Sequence, residues 1–285
     1  MRAKNIIQKF KHILNKYVEQ LDIKNSRNIG RPNKFNNFFY IKHILNYLFT
    51  GISWSNIELF IDDLSGDAIR KKFNKWASLG VFTEAYNDFI QLYSKCKGVK
   101  LNELFMDATI LKNTCCSKKI TGFCKKLPKK RSSKATFICD ENKIGLAVTI
   151  HSSSPHDSQH IEEVINNIPN AVSDTFTYNR PCIITADKGY IINKNRKNDI
   201  RRNQHASLNY HGRSNMKKVH KTTRNKELLK KRIKVEHLNS RILRSFKALS
   251  TMKYENEQRR NVLFKLAFTI QMFEYMFEKN IPINL

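Results

Sequence analysis

The chain has 285 residues, 40% of them hydrophobic, which is too apolar for an intrinsically disordered protein and enough to bury a sizeable core. Lys and Arg number 52 against 24 Asp and Glu, so the formal net charge is +28. A surface this basic repels other copies of itself unless a polyanion neutralises it, which predicts a nucleic acid as the binding partner.

Residues 1–18 mix charged and apolar side chains and lack the continuous apolar core of a signal peptide. The most apolar run, 262–277, is interrupted by charged and polar residues and is shorter than the roughly 20 residues of a membrane span, which predicts a buried helix. Six cysteines without a secretion signal favour reduced thiols in an intracellular compartment. Cys115, Cys116 and Cys124 are candidate zinc ligands, but they lack the paired spacing typical of zinc sites.

The N-terminal segment, residues 1–29, is predicted to form an amphipathic helix, because its apolar residues recur at helical spacing. The apolar stripe comprises Ile6, Phe10, Ile13, Leu14, Tyr17 and Leu21. The polar stretch NSRNIGRPNKF follows, and its Gly and Pro are typical of a linker.

Residues 30–98 are predicted to form a domain of short helices. Asn36 or Asn37 caps the first helix, Gly51 ends it, and another helix begins after Ser53. The helix within SGDAIRKKFNKWASLG buries an apolar stripe of Ile69, Phe73 and Trp76 and projects a polar, mostly basic face of Arg70, Lys71, Asn74 and Lys75. The pattern fits a helix-turn-helix whose last helix enters the major groove of DNA, and it also fits a helical cap with a solvated basic face.

Beyond residue 100 the apolar pattern predicts strands. ELFMDATIL predicts one strand, KATFICDENKIGLAVTIHSS two strands around the turn DENK, and CIITADKGY another. IEEVINNI predicts a helix, and the chain is predicted to be helical again from about residue 225. Strands in the middle followed by helices predict a mixed α/β domain around one sheet, over residues 99–280.

Two segments are unusually basic. Residues 117–134 contain eight Lys and Arg and no acid, and residues 193–234 contain fifteen Lys and Arg against Asp199 and Glu227. Charge runs are usually solvated surfaces, but both segments adjoin candidate functional acids, which favours a track for the DNA backbone.

Two acids lie at the ends of predicted strands: Asp107 follows ELFM and Asp187 follows CIITA. If these strands are neighbours, the carboxylates meet at one edge of the sheet and repel each other unless a cation bridges them. Oxygen ligands of this kind suit Mg²⁺ or Mn²⁺. A third acid, Glu236, lies at the margin of the core stripe of a late helix, formed by Val235, Leu238, Ile242, Phe246 and Leu249. Glu236 is a candidate metal ligand, and its spacing also fits an ion pair with Arg232.

From about residue 30 to 275 the sequence resembles the DDE transposases of bacterial insertion sequences, in particular the insertion sequence five superfamily. GRPNKF, LNYLFTGISWSNI and IRKKFNKWASLGVF resemble the helical DNA-binding region of that family. FMDATILK resembles the segment of the first acid, PHDSQHI a His-Asp-Ser element, and TADKGY the signature of the second acid. RIKVEHLNSRILRSFK, followed by KYE, resembles the signature of the glutamate.

The resemblance implies a ribonuclease H-like mixed-sheet core with an N-terminal all-helical domain. It implies that Asp107, Asp187 and Glu236 are the catalytic residues and together bind two divalent cations, Mg²⁺ or Mn²⁺. The expected function is metal-dependent cleavage of the ends of an insertion sequence and their transfer into target DNA. The expected partners are double-stranded DNA and at least one further copy of the chain, inside a cell and with DNA (cytoplasm or nucleoid, or the host cell of a virus).

Basic residues close to the motifs are expected to contact phosphates: Lys188, Arg232, Arg244 and Lys247. Salt bridges or simple solvation are the alternatives for these side chains. We expect His156 and Asp157 to order a loop.

Two other functions remain open. The family often has Asp where Ile191 stands, and related signatures have Tyr and Lys where Leu229 and Leu243 stand, which would suit a transposase-derived protein that binds DNA without cutting it. A ribonuclease H-like nuclease without strand transfer is the third reading, and the helix-turn-helix-like N-terminal region disfavours it.

Overall fold

A computed structural model describes residues 2–23, 35–61, 64–113, 121–124, 127–210, 226–252 and 257–283. The chain forms two compact units, the first made of residues 1–89 with 243–285 and the second of residues 90–242. The predicted linker NSRNIGRPNKF, apart from Phe35, and the KYE motif lie outside the described residues, as do Cys115 and Cys116.

The first unit begins with helices. They are α1 (Arg2–Val18), α2 (Asn37–Thr50), α3 (Trp54–Ile57), α4 (Gly66–Ser78) and α5 (Val81–Ser94), with a π-helical turn at Glu19–Ile23 and a 3-10 turn at Glu58–Phe60. The predicted start and end of α2 and the predicted start of α3 after Ser53 are confirmed. Asn36 Oδ1 accepts a hydrogen bond from the N–H of Phe39 at 3.0 Å, and Ser65 Oγ accepts one from Ala68 at 3.3 Å. Gly51 ends α2 in the left-handed conformation at φ 67°, which glycine adopts without steric cost.

The apolar face of α1 lies in the core of the first unit. Phe10 is 2% exposed, and its ring centroid lies 5.5 Å from that of Phe273 and 6.2 Å from that of Phe89. The predicted stripe on α4 is also buried, because Ile69, Phe73 and Trp76 are all 0% exposed. Ile13 and Leu21, which were predicted to join the stripe of α1, are only half-buried.

The second unit is an α/β sandwich around one sheet. Its strands are β1 (Glu103–Asn113), β2 (Gly122–Cys124), β3 (Leu127–Cys139), β4 (Gly145–Ser152), β5 (Cys182–Ala186) and β6 (Ala206–Tyr210). Its helices are α6 (Ile161–Asn166), α7 (Asn170–Ser173), α8 (Lys194–Gln204), α9 (Lys226–Lys231) and α10 (Ile233–Ser245), whose residues from 243 onward belong to the first unit.

The order and direction of the strands confirm the ribonuclease H-like core. Strand β3 pairs antiparallel with both β1 and β4, and β2 pairs antiparallel with β3. On the other edge of β1, β5 runs parallel to it, and β6 runs parallel to β5. The sheet is therefore an antiparallel meander extended by two parallel strands next to its first strand.

Strand β6 and helix α8 lie within the basic segment 193–234, where the charge pattern indicated only a phosphate track. Apolar and polar residues alternate along β6, and Ala206, Leu208, Asn209 and Tyr210 are buried. An alternation over only five residues in so basic a stretch is too short a signal to recognise beside the charge.

The last elements return to the first unit: α11 (Lys247–Ser250), the short strand β7 (Thr251–Met252) and α12 (Glu257–Glu278). The predicted buried helix at 262–277 is confirmed by α12, in which Leu263, Phe264, Phe268 and Met272 are at most 1% exposed. Among the described helices, none has the length and apolar character needed to cross a membrane.

Candidate metal-binding acidic site

The two predicted acids belong to neighbouring strands. Asp187 directly follows β5, as predicted, but the prediction that Asp107 ends its strand is wrong, because β1 continues to Asn113. In the parallel ladder of β1 and β5, Phe105 is the partner of Thr185. Asp107 lies two residues beyond Phe105 and Asp187 two residues beyond Thr185, the last pair of this ladder, and Asp187 is near enough for its charge to act on Asp107. Because side chains alternate along a strand, the carboxylate of Asp107 belongs to the same face of the sheet as the side chain of Phe105.

The environment of Asp107 disfavours its charged form. The pKa of this carboxyl is raised to about 6, chiefly by burial, and the negative charges of Glu236 and Asp187 act in the same direction. The backbone N–H of Ala108 and the charge of Arg232 act in the opposite direction and lower the pKa. Glu236 and Asp187 are therefore both near enough to Asp107 for their charges to act on it.

Helix α10 brings Glu236 to the same side of the sheet as Asp107. One turn after Glu236, Asn239 donates a hydrogen bond from Nδ2 to Asp107 Oδ2 at 3.2 Å. The carboxylate of Glu236 is 47% exposed and forms an ion pair with Arg232, whose Nη2 lies 2.5 Å from Glu236 Oε1. Glu236 thus makes the predicted i, i+4 pair and also lies in the electrostatic neighbourhood of Asp107.

Asp187 precedes a 3-10 turn, Lys188–Tyr190, at the position of a helix cap. Its side chain makes no capping hydrogen bond, although capping is the ordinary structural role of Asp at such a position. Asp187 is exposed, whereas Tyr190 is 1% exposed. Burial, together with the nearby charges of Asp157, Asp107 and Asp187, raises the pKa of Tyr190, so its hydroxyl stays protonated.

The donor chemistry of this site fits a hard divalent cation, because carboxylate oxygens are its preferred protein ligands. A cation would also relieve the repulsion that raises the pKa of Asp107. In the described part of the chain, however, no three His, Cys, Asp or Glu side chains are grouped closely enough to hold a metal ion. The three acids therefore match the cation in chemistry without forming a closed set of ligands.

Two of the residues predicted to contact DNA, Lys188 and Arg232, lie in the second unit together with the three acids. Lys188 is exposed and directly follows Asp187. Arg232 forms an ion pair with Glu236, which agrees with the salt bridge that was the alternative to a phosphate contact.

The other predicted DNA contacts belong to the first unit. Arg244, in the last turn of α10, and Lys247, at the start of α11, are exposed. On α4, Arg70 and Lys71 both form ion pairs with Asp67, and Lys71 Nζ lies 3.0 Å from Asp67 Oδ2. Lys75 Nζ lies 2.6 Å from Asp22 Oδ1. Asn74 Oδ1 is buried and has no hydrogen-bond partner. The face predicted to read DNA is therefore partly neutralised by acids of its own unit.

Asn239, which contacts Asp107, was not predicted as a site residue. Its signal was its spacing, because residues three apart on a helix lie on the same face and Glu236 is three positions earlier. The role expected for Asp157 agrees with its surroundings: Lys134 Nζ lies 2.6 Å from Asp157 Oδ1, and a Cβ on Gly189 would lie 3.4 Å from Asp157 Oδ2. Asp157 thus packs beside the turn that follows Asp187.

Residues 100–272 match the family model described as "Transposase DDE domain". Among solved structures, the chain is similar to one titled "Crystal structure of a pre-cleavage Mos1 transpososome", with 10% identity and a TM-score of 0.28, over 92% of this chain and 83% of that chain. At that TM-score no conclusion rests on the likeness. No curated protein matches the sequence.

Proposed function

Because the chain belongs to the transposase DDE domain family, we propose that it is a DNA transposase that cleaves the ends of an insertion sequence and joins them to target DNA. The proposal is supported by the pairing of β1, which carries Asp107, with β5, which Asp187 directly follows, and by the charges of Asp187 and Glu236, which act on Asp107. A carboxyl whose pKa is raised by burial and by neighbouring acids is typical of a functional site.

Asp107, Asp187 and Glu236 are the residues that would hold two divalent cations, Mg²⁺ or Mn²⁺. Cations at such a site neutralise charge at a phosphate and activate the attacking hydroxyl. The hydrogen bond from Asn239 holds the Asp107 carboxylate in place, and the buried surroundings of Asp107 exclude competing water. Lys188, adjacent to Asp187 and exposed, is placed to contact a phosphate of the bound strand.

DNA binding outside the acidic site is assigned to the basic surface of the chain. We propose that α4 contacts the element ends through Lys71, which is 76% exposed, and that Arg70, Asn74 and Lys75 contribute less because of their partners or their burial. Arg244 and Lys247 are further candidates. Joining two ends requires two active sites, so we expect at least a homodimer on DNA, wherever in a cell that DNA resides.

The test is cleavage of labelled DNA that carries the ends of the element, in Mg²⁺ or Mn²⁺. Wild-type chain is expected to produce cut and joined DNA, and Asp107→Ala is expected to lose both while it binds DNA as wild type does. Asp199→Ala, which removes an exposed acid on α8, is the matched control and should cut normally. Normal cutting by Asp107→Ala would exclude the proposed site.

A second candidate function is DNA binding without catalysis. The observation that favours it is that, within the described ranges, the acids do not form a ready group of metal ligands. Binding of end-containing DNA without cutting by wild type would establish it, and cutting without joined product would indicate a nuclease.

A further inference from the structure

One large aromatic side chain of the basic segment 117–134 is exposed. Phe123, on β2, is 53% exposed, although burial of a phenylalanine is normally favourable. The guanidinium of Arg131 lies 5.2 Å from the centroid of its ring. Arg131 is itself held in place, because Nε donates to Thr121 Oγ1 at 3.2 Å and Nη2 donates to Thr121 O at 3.1 Å. The chain thus presents an aromatic ring beside a fixed cation.

The ring of Phe123 lines a cavity of about 440 Å³ that lies entirely within the second unit. Ala108, Ile110 and Pro155 supply further apolar lining, and Ala108 directly follows Asp107 in β1. The volume falls at the lower end of the roughly 300–1,000 Å³ typical of small-ligand sites. It accommodates one planar ring system with its attached sugar, and it is too small for a base pair within a duplex.

The polar groups of the cavity suit a ligand that is planar and uncharged. Lys134 and Asp157 line it as an ion pair, with Nζ and Oδ1 2.6 Å apart, so their charges cancel locally. Ser154 Oγ accepts a hydrogen bond from the N–H of Phe123 at 3.1 Å, which leaves its own proton to donate. A nucleobase offers a π-face to the ring and acceptor atoms at its edge.

We propose that this cavity binds a single unpaired nucleobase of DNA, stacked on Phe123, with Arg131 contacting the adjoining phosphate. The proposal rests on the proposed DNA-binding function and adds a position at which the chain senses an unpaired nucleotide. Aromatic stacking accepts every base, so the site distinguishes unpaired from paired DNA and carries little sequence preference. The base must leave the duplex to enter, which favours frayed, overhanging or extruded nucleotides.

The test compares the affinity of the full chain for a duplex with a short single-stranded extension and for the same duplex with a blunt end, in EDTA. Wild type is expected to prefer the extension. Phe123→Ala is expected to weaken binding of the extended duplex by about 5- to 100-fold and to leave blunt-duplex binding nearly unchanged. Phe123→Trp, which keeps a stacking surface, is expected to retain the preference.

Tyr178→Ala is the matched control. Tyr178 is also 53% exposed and has the guanidinium of Arg201 5.4 Å from its ring, but it does not line this cavity. Absence of a preference in wild type, an equal loss for both DNAs in Phe123→Ala, or the same selective loss in Tyr178→Ala would overturn the proposal. A chain that cuts DNA without a Phe123-dependent preference overturns this inference alone, and one that shows the preference but never cuts overturns the proposed catalysis alone.

Discussion

Asn239 donates a hydrogen bond to Asp107 across 132 positions of sequence, at 3.2 Å, and thereby ties helix α10 to strand β1. Asn239 is 7% exposed, so little water competes for this bond. Because Glu236 lies one helical turn earlier, the bond also sets the distance between the third acid and the first. Asn239 therefore acts as a positioning residue.

We expect Asn239→Ala to lower the cleavage rate by about 10- to 100-fold, the usual loss when a partner of a ligand is removed, without changing the affinity for DNA. Cleavage rates and DNA dissociation constants, measured on the same preparations, check this. Asn203→Ala on the exposed surface of α8 serves as the control. An unchanged rate in Asn239→Ala would show that the hydrogen bond is purely structural.

Glu236→Gln should separate the two readings of Glu236. A half-exposed i, i+4 ion pair contributes only about 0.3–0.5 kcal/mol to folding, so the free energy of unfolding should change little. Loss of a ligand carboxylate should nevertheless abolish cleavage. Urea unfolding together with a cleavage assay provides both quantities, and retained cleavage would leave Glu236 as no more than the partner of Arg232.

Asp22 is expected to be essential for the stability of the first unit. Its buried carboxylate accepts a hydrogen bond from Trp76 Nε1 at 2.8 Å and lies 3.0 Å from Lys72 Nζ and 2.6 Å from Lys75 Nζ. Asp22→Ala leaves the mostly buried charge of Lys72 without this partner, which should cost about 2–4 kcal/mol in the free energy of unfolding. Denaturant titration measures the loss, and Asp67→Ala on the surface of α4 should cause a much smaller one.

Lys71 should carry more of the DNA affinity of α4 than Lys75 does. Lys71 is 76% exposed and pairs with the half-exposed Asp67, whereas Lys75 pairs with the buried Asp22 at 2.6 Å and would exchange that contact for a phosphate. Lys71→Ala should reduce the slope of log affinity against log salt by about one phosphate contact, with a smaller change for Lys75→Ala. If neither variant changes the salt dependence of DNA affinity, α4 does not contact DNA and its basic face is simply exposed to solvent.

Asp140 should make stability depend on pH. It is 0% exposed and accepts hydrogen bonds from Tyr93, Asn142 and the N–H of Ile144, yet burial raises its pKa to about 6. The folded chain thus holds a proton that the unfolded chain releases near pH 4, so stability is highest below pH 4 on account of this group and falls as pH rises through 6.

The amplitude of this effect should be roughly 1–3 kcal/mol. Asp107 has a shift of the same sign, so the contribution of Asp140 is the part that Asp140→Asn removes. Unfolding free energies of both chains between pH 4 and 7 measure it. If the unfolding free energies of wild type and Asp140→Asn changed with pH in the same way, Asp140 would not be the source of the pH dependence.

Local signals in the sequence predicted most of the elements, and the pairings between them came only from the structure. The apolar runs before Asp107 and Asp187 are strands, as predicted, because apolar runs of four to eight residues are typical of buried strands. Nothing within either run states that β1 and β5 are parallel neighbours. Likewise, the hydrogen bond of Asn239 and the burial of Asp22 depend on residues far away in the chain.

The basic segments show why part of the fold escaped prediction. In residues 193–234 charge obscured the strand β6, and in residues 117–134 it obscured the exposed ring of Phe123. On α4 the stripe of Ile69, Phe73 and Trp76 was recognised, but the acids that neutralise its outer face could not be identified from spacing alone.

The parallel register of β1 and β5 limits how this protein can evolve. Gain or loss of one residue inside either strand, ahead of its acid, would rotate that carboxylate to the opposite face of the sheet. Changes of length in the connections between strands leave the alignment intact. Divergent relatives should therefore vary in the size of their loops while the spacing within these two strands stays constant.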